Sequence, residues 1–256
     1  MKLKAYAKIN LSLRVLDQRP DGFHNIESIM QTVSLHDCIT LSLIPAGIEV
    51  TCDNPKVPLG PANLAYKAAE LAGAKGLKIH IEKRIPMAAG LAGGSADAAA
   101  VLFGLKADPA IAEQVGSDVP FCLVGGTCLV GGRGEKVTRT QPPVPSTYIL
   151  VCPDIEISAK WAYDEWDRQK AKGKRQEAKG LNDLEPVVAA KYPVINEIKE
   201  KLLSLGCSAA QMSGSGPAVF GIVRQKAEAE KIFTKIKEEY SRSFVVEAAD
   251  KGIEII

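Results

Sequence analysis

No stretch of the chain reaches the roughly eighteen uncharged apolar residues that a membrane-crossing helix needs, so no helical membrane span is expected. Lys2, Lys4 and Lys8 interrupt the first residues before the apolar centre of a signal peptide can form. No signal peptide is therefore expected, and a soluble, cytoplasmic protein is. An excess of one charge is missing too: 32 Lys and Arg face 30 Asp and Glu, a formal net charge of +2. That balance supplies no global field for a nucleic acid or a membrane surface, so any phosphate-bearing ligand must be held by local geometry. The six cysteines, Cys38, Cys52, Cys122, Cys128, Cys152 and Cys207, form no C-x-x-C pair and no metal-like cluster. Several sit in apolar runs such as Phe121-Cys122-Leu123 and Ile149-Leu150-Val151-Cys152, where a thiol behaves as a small hydrophobe. Reduced core cysteines are expected rather than disulfides. Repeats and low-complexity tracts are absent.

What is present suits a globular protein: 256 residues, 46% of them hydrophobic and 24% charged, enough for one large domain or two modest ones around a cleft. Lys4 to Val15 alternates as a strand, with Ile9, Leu11, Leu13 and Val15 on one face, and the turn-prone Arg19-Pro20-Asp21-Gly22 follows. Further strands are expected through Val50. Asn63 caps a helix whose Leu64, Ala68, Leu71 and Ala72 share a face, with Gly73 as its stop. Leu77 to Glu82 alternates again and runs through a Gly/Ala-rich loop into a helix from Ser95 to about Leu105. Glycine-rich strands and turns are expected from Val119 to Val137. Gln141-Pro142-Pro143-Val144-Pro145 marks the expected boundary between a unit at 1–145 and one at 146–256. Beyond it the pattern predicts a strand at Tyr148 to Cys152, a charged helical stretch, and a helix near Val194 to Leu205. A strand at Ala218 to Val223 and a helix near Ala227 to Tyr240 follow, then a closing strand pair at Phe244 to Glu247 and Gly252 to Ile256. Strands and helices without regular βαβ alternation argue for an α+β fold.

The most informative segment runs from Pro86 to Ala100, Pro-Met-Ala-Ala-Gly-Leu-Ala-Gly-Gly-Ser-Ala-Asp-Ala-Ala-Ala. It joins a strand to a helix through small residues, which let backbone approach a ligand closely. The first helical turn presents free N–H groups at the positive end of the macrodipole. That is a phosphate cradle; the plainer reading is a tight connection with an alanine-rich helix packed against a sheet. No Gly-Lys-Ser/Thr follows, so it is not a Walker loop, and it is a poor dinucleotide fingerprint. Asp97 invites a magnesium assignment, but an acid in a first helical turn is explained by the dipole, and no residue is assigned to a metal. The run from Arg168 to Lys179, with Lys170, Lys172, Lys174, Arg175 and Lys179, lacks interleaved aromatics and reads as a solvated surface segment rather than a nucleic-acid site.

Pro86 to Ala100 resembles the phosphate-binding motif of the GHMP kinases (galactokinase, homoserine, mevalonate and phosphomevalonate kinases). Ala7-Lys8-Ile9-Asn10 resembles that family's first motif, and Ser213-Gly214-Ser215-Gly216-Pro217 its third. Further segments resemble one branch, whose alcohol acceptor is linked to a cytidine diphosphate on the non-mevalonate route to isoprenoid precursors. They are Arg19 to His24, Gly116 to Phe121, Gly132 to Glu135 and Asn182 to Glu185.

The resemblance implies a small-molecule kinase with two sub-domains, an active cleft between them, and ATP with Mg²⁺ as co-substrate. Asp118 is cast as the base that takes the hydroxyl proton and Lys8 as its cationic partner, able to offset charge on the transferred phosphoryl group. Asn63, Pro86, Gly90, Leu91, Ala92, Gly93, Gly94 and Ser95 are cast against the nucleotide. Asn10, Ser213 and Gly214 are cast against the acceptor, Asn10 alternatively holding Lys8. Phe23 and His24 occupy the positions of an aromatic-histidine pair that stacks on and hydrogen-bonds a cytosine ring. Tyr163 supplies the second wall, with Trp161 as the alternative. The pattern is departed from at Ala88, Ala92 and Ala96, where Gly, Gly and Ser are common, at Phe23 for Tyr and at Ala159 for Thr. The connection from Leu105 to Gly116 is short. If Ala92 needs positive φ, its Cβ costs about 1 kcal/mol or more. Competing readings are a kinase of the same family with another acceptor, a silent ligand sensor on the same fold, and a nucleic-acid binder. The sequence leaves the oligomeric state open.

Overall fold

The computed structural model describes residues 1–141, 147–172 and 181–256. The strands in chain order are β1 (Lys2–Gln18), β2 (His24–Leu43), β3 (Gly47–Cys52), β4 (Gly76–Glu82), β5 (Thr127–Gly132) and β6 (Lys136–Arg139), then β7 (Thr147–Val151), β8 (Ala209–Met212), β9 (Val219–Val223), β10 (Ser243–Glu247) and β11 (Ile253–Ile255). The helices are α1 (Leu64–Leu71), α2 (Gly93–Gly104), α3 (Ala112–Val115), α4 (Val119–Val124), α5 (Ala159–Ala171), α6 (Glu185–Lys191), α7 (Val194–Ser204) and α8 (Lys226–Glu239). The fold is α+β. The expected boundary at 145/146 and most of the basic run up to Lys179 lie outside the described residues. No helix among those described is long and apolar enough to cross a membrane.

A seven-stranded sheet runs β11-β1-β2-β4-β3, with β5 and β6 as a branch. Strand β2 is long enough to serve two neighbours: Ile26 to Gln31 pair with β5, and Cys38 to Leu43 pair with β4. A second sheet runs β10-β7-β9-β8. Strand β7 is buried on both faces, which is why it reads as an unbroken apolar run. Tyr148 and Leu150 enter a core shared with the larger sheet, while Ile149 and Val151 enter a second core. That second core is closed by α6, α7 and α8 through Val188, Ile195, Ile198, Leu202, Ile232 and Ile236. All six cysteines are free thiols, five of them buried.

Four sequence expectations change. Val119 to Val124 is helix α4 rather than strand or turn, because Pro120 in its first turn has the φ a helix start requires. The closing strands do not pair with each other: β10 joins β7, and β11 returns to β1 in the other sheet. Strand β8 was not anticipated; its four residues, Ala-Ala-Gln-Met, carry no β-branched signal. Leu71 is exposed, because α1 packs on the alanine-rich α2 through the small residues Ala65, Ala68 and Ala69.

Candidate active site

Strand β1 carries the first chemical groups. Its pairing with β2 shifts register between Tyr6 and Lys8 and again between Asn10 and Ser12, so the segment between two irregularities is re-aimed. Ile9 points into the core while Lys8 and Asn10, two residues apart, share the opposite face. Lys8 is only 4% exposed. A buried ammonium must be compensated. Its Nζ donates to Asn10 Oδ1 at 2.7 Å and to the Gly90 carbonyl at 3.1 Å, and lies 3.4 Å from Asp118 Oδ2. Asp118, at the head of α4, keeps its carboxylate open to the cleft.

The first motif on β1 and the two glycine-rich loops lock onto one another. The Lys8 amide donates to the Leu91 carbonyl, the Ala218 amide to the Ala89 carbonyl, and the Asn10 amide to Ser213 Oγ. Ser213 Oγ in turn donates to the Gly90 carbonyl at 3.3 Å. Ser213 is fully buried, so its hydroxyl fastens the third loop to the first strand instead of facing the cleft. Asn182, whose part was not foreseen, donates from Nδ2 to the carbonyls of Met212 and Gly214. Gly90 and Gly214 are required here. Both have positive φ, and added Cβ atoms would lie 2.5 Å from the Ser213 carbonyl oxygen and 2.9 Å from Asn10 Oδ1.

Two cavities flank this junction. The smaller, about 300 Å³, is lined by Asn63, Pro86, Gly90, Leu91, Ala92, Gly93 and Gly94. Ser95 lines the larger cavity instead. Asn63 Oδ1 caps α1 through the Ala65 amide while its Nδ2 holds the Pro58 carbonyl, so the structural use of this side chain is satisfied. Helix α2 begins at the loop, and its first-turn N–H groups make an anion seat. Ala88 and Ala92 both adopt positive φ, 51° and 57°. The strain foreseen for Ala92 is present, and Ala88 shares it.

Beneath the loop lies a group that sequence spacing could not reveal. Lys83 Nζ bonds Asp37 Oδ2 at 2.5 Å and Asp97 Oδ2 at 2.7 Å, and Asp37 Oδ1 accepts the Arg84 and Ile85 amides. All three side chains are nearly inaccessible to solvent. Asp97 is not in the first turn of α2, so its pairing with Lys83, not the dipole, accounts for it. Burial pushes its carboxyl up to about 8, resisted by Lys83 and reinforced by Asp37. Lys83 is shifted upward: burial works against its charge, but Asp97 and Asp37 outweigh that effect. Among the described residues no group of three His, Cys, Asp or Glu stands ready for a metal.

The larger cavity, about 750 Å³, is lined by Lys8, Asn10 and Asp118 at one side and by Phe23, His24, Tyr163 and Arg133 at another. Gly214 and Ser95 also border it. Phe23 is 48% exposed, with the Arg133 guanidinium 5.2 Å from its ring centroid. His24 is buried, stacked on Tyr163 at 5.0 Å with an interplanar angle of 23°. Burial raises the Tyr163 phenol above its ordinary range, so it stays protonated. Trp161 packs instead with Tyr192 and Lys191, away from the cleft lining. The cleft thus joins a buried ammonium and its cleft-facing carboxylate to an aromatic slot, and the smaller cavity offers the anion seat beside it.

Comparison with known proteins agrees with this architecture. The GHMP kinases N terminal domain matches residues 63–126, and the GHMP kinases C terminal domain matches residues 168–242. The chain belongs to the GHMP kinase family. A 4-diphosphocytidyl-2-C-methyl-D-erythritol kinase of Clostridium acetobutylicum is 41% identical, the match covering 96% of this chain and 99% of that protein. One of Acetivibrio thermocellus is 43% identical, covering 96% and 98%. Among solved structures, a 4-(cytidine 5'-diphospho)-2C-methyl-D-erythritol kinase superposes with a TM-score of 0.81 at 29% identity, covering 97% of this chain and 99% of that one. A homoserine kinase from Cytophaga hutchinsonii shares the fold, with a TM-score of 0.71 at 18% identity.

Proposed function

We propose that the chain transfers the γ-phosphoryl group of ATP to the 2-hydroxyl of 4-diphosphocytidyl-2-C-methyl-D-erythritol, a step on the non-mevalonate route to isoprenoid precursors. The observation that carries this reading is the Lys8–Asn10–Asp118 cluster on the wall of a cleft that also holds Phe23, His24 and Tyr163. Full-length likeness to kinases named for that acceptor supports it. ATP, arriving with Mg²⁺, lies along the loop from Pro86 to Gly94 with its phosphates at the start of α2. Magnesium bound with a nucleotide takes most of its ligands from phosphate and water, so it needs no protein cage.

Phosphoryl transfer demands positioning and charge neutralisation more than covalent chemistry. Asp118 accepts the proton as the acceptor oxygen bonds to the γ-phosphorus. The bond from that phosphorus to the bridging oxygen breaks, and ADP leaves with the electron pair. Lys8 pairs with Asp118 and faces the charge that develops on the phosphoryl oxygens. Asn10 and the Gly90 carbonyl fix where the ammonium sits.

The test is ADP release by the purified protein with Mg-ATP and 4-diphosphocytidyl-2-C-methyl-D-erythritol, with mevalonate and homoserine run in parallel. Turnover with the cytidine compound alone is expected. A folded, ATP-binding protein inactive on it and active on another alcohol would reassign the acceptor.

A further inference from the structure

Helix α5 presents Tyr163 and Asp167 four residues apart, and therefore on one face. Both meet His24, the second residue of the aromatic-histidine pair. Tyr163 covers the face of the imidazole. Asp167 Oδ2 lies 2.9 Å from His24 Nε2, and the Trp166 indole stands edge-on to the ring at 6.1 Å. With one face stacked and one edge bonded, the imidazole has a fixed orientation. His24 is the one cationic or ionisable-base partner of Asp167 among the described residues, and no hydrogen bond to His24 Nδ1 occurs among them. His24 itself borders the large cleft.

A carboxylate can only accept, so the bond to Asp167 requires the His24 proton on Nε2. In the neutral ring Nδ1 is then left as an acceptor. Cytosine offers a donor at its exocyclic amine. Uracil offers a carbonyl oxygen at the same place, which would set two acceptors against each other. We propose that Asp167 is the positioning residue that makes this site select cytosine over uracil, by holding the His24 proton on the side away from the base and leaving Nδ1 to receive the exocyclic amine. This rests on the cytidine reading of the cleft given above. It assigns to α5 a part in base discrimination that Phe23 and Tyr163, as flat rings, cannot supply, since stacking tolerates either pyrimidine.

The experiment compares the Kd of CMP with that of UMP on the full chain, for the unmodified protein and for Asp167→Asn, Asp167→Ala and Asp167→Glu. The unmodified protein is expected to favour CMP by on the order of 10- to 100-fold. In Asp167→Asn the amide accepts from or donates to Nε2, so both tautomers become available and the ratio collapses to within about threefold. Asp167→Ala gives the same collapse, and Asp167→Glu, which retains a carboxylate, restores the preference. The acceptor KM rises in the first two variants, with the KM for ATP as the control. A folded Asp167→Asn protein with the original CMP/UMP ratio, or with equal loss of both nucleotides, would reduce the contact to a tether between α5 and β2 and overturn the proposal. An unmodified protein that binds ATP and neither pyrimidine nucleotide would overturn the cytidine reading, and this one with it.

Discussion

Lys8 Nζ lies 3.4 Å from Asp118 Oδ2, and the pair is asymmetric: the ammonium is buried on β1 while the carboxylate reaches into the cleft from the head of α4. The buried partner fixes the charge, and the open one is free to meet a hydroxyl. Asp118→Asn keeps the shape and removes the proposed base, so kcat is expected to fall by roughly 10²- to 10⁴-fold. The thermal midpoint and CMP binding should be retained. Steady-state kinetics beside a thermal melt decides this, and near-normal turnover by the variant would remove Asp118 from the role of base. Lys8→Met is the harsher change. It leaves Asn10 Oδ1 without its donor, at a cost of about 1–3 kcal/mol, while the Gly90 carbonyl keeps only the Ser213 hydroxyl. It should therefore lose stability as well as activity.

Gly214 tests whether the third loop positions the proposed catalytic cluster of Lys8, Asn10 and Asp118. A methyl group there would stand 2.9 Å from Asn10 Oδ1 and 3.5 Å from Lys8 Nζ, on a backbone with φ of +58°. Gly214→Ala must displace the Asn10 carboxamide and with it the anchor of Lys8. We expect kcat to fall at least tenfold, as positional errors near reacting groups do, while ATP affinity is nearly unchanged. A variant with unchanged kcat would show that the Asn10–Lys8 bond is dispensable.

The parts of this structure legible in the sequence were those written locally. Asn63 announced a helix cap, the run from Tyr148 to Cys152 announced a strand, and the order of the three motifs at Ala7 to Asn10, Pro86 to Ala100 and Ser213 to Pro217 announced the family. Lys8 and Asp118, 110 residues apart, could be paired only through that resemblance, because nothing local records a contact between β1 and α4. The buried Asp37–Lys83–Asp97 group left no signal: each residue is an ordinary charge in its own segment, and only the stacking of α2 on the sheet removes all three from water. Likewise Asp167 looks like one of several acids on a charged helix until β2 delivers His24 to it. Strand partnership was the other illegible part, since β10 and β11 are close in sequence and belong to different sheets.

Ala92 offers a graded test of strain in the nucleotide loop. At φ of 57° an L-residue pays about 1–2 kcal/mol, and glycine removes that cost while adding about 0.4–1 kcal/mol of unfolded-state entropy. Ala92→Gly should therefore leave stability between unchanged and about 1.6 kcal/mol higher. Ala92→Val places a β-branched side chain in the same conformation and should unseat the loop, weakening ATP binding at least tenfold while CMP binding persists. Calorimetric titration with each nucleotide separates the two outcomes. Equal ATP affinity for the valine and glycine variants would show that the loop relaxes without cost.

The buried acid beneath the loop makes stability depend on pH in a stated direction. With Lys83 charged and Asp37 ionised, a proton on Asp97 leaves the group neutral, whereas its loss buries a net negative charge. The folded Asp97 carboxyl sits at about 8, above its ordinary value of 3.8. Folding thus favours the protonated form. The stability this provides is complete below about pH 4 and is lost as pH rises through about 8. Asp97→Asn is neutral at every pH and can still accept from Lys83 through its amide oxygen. Relative to the unmodified protein, its thermal midpoint should rise progressively between about pH 4 and about pH 8, with a larger advantage near pH 9 than near pH 6. Scanning calorimetry at those two values measures the difference. A gap between the two proteins that stays constant with pH would mean that Asp97 is ionised in the folded state, with Lys83 holding both carboxylates charged.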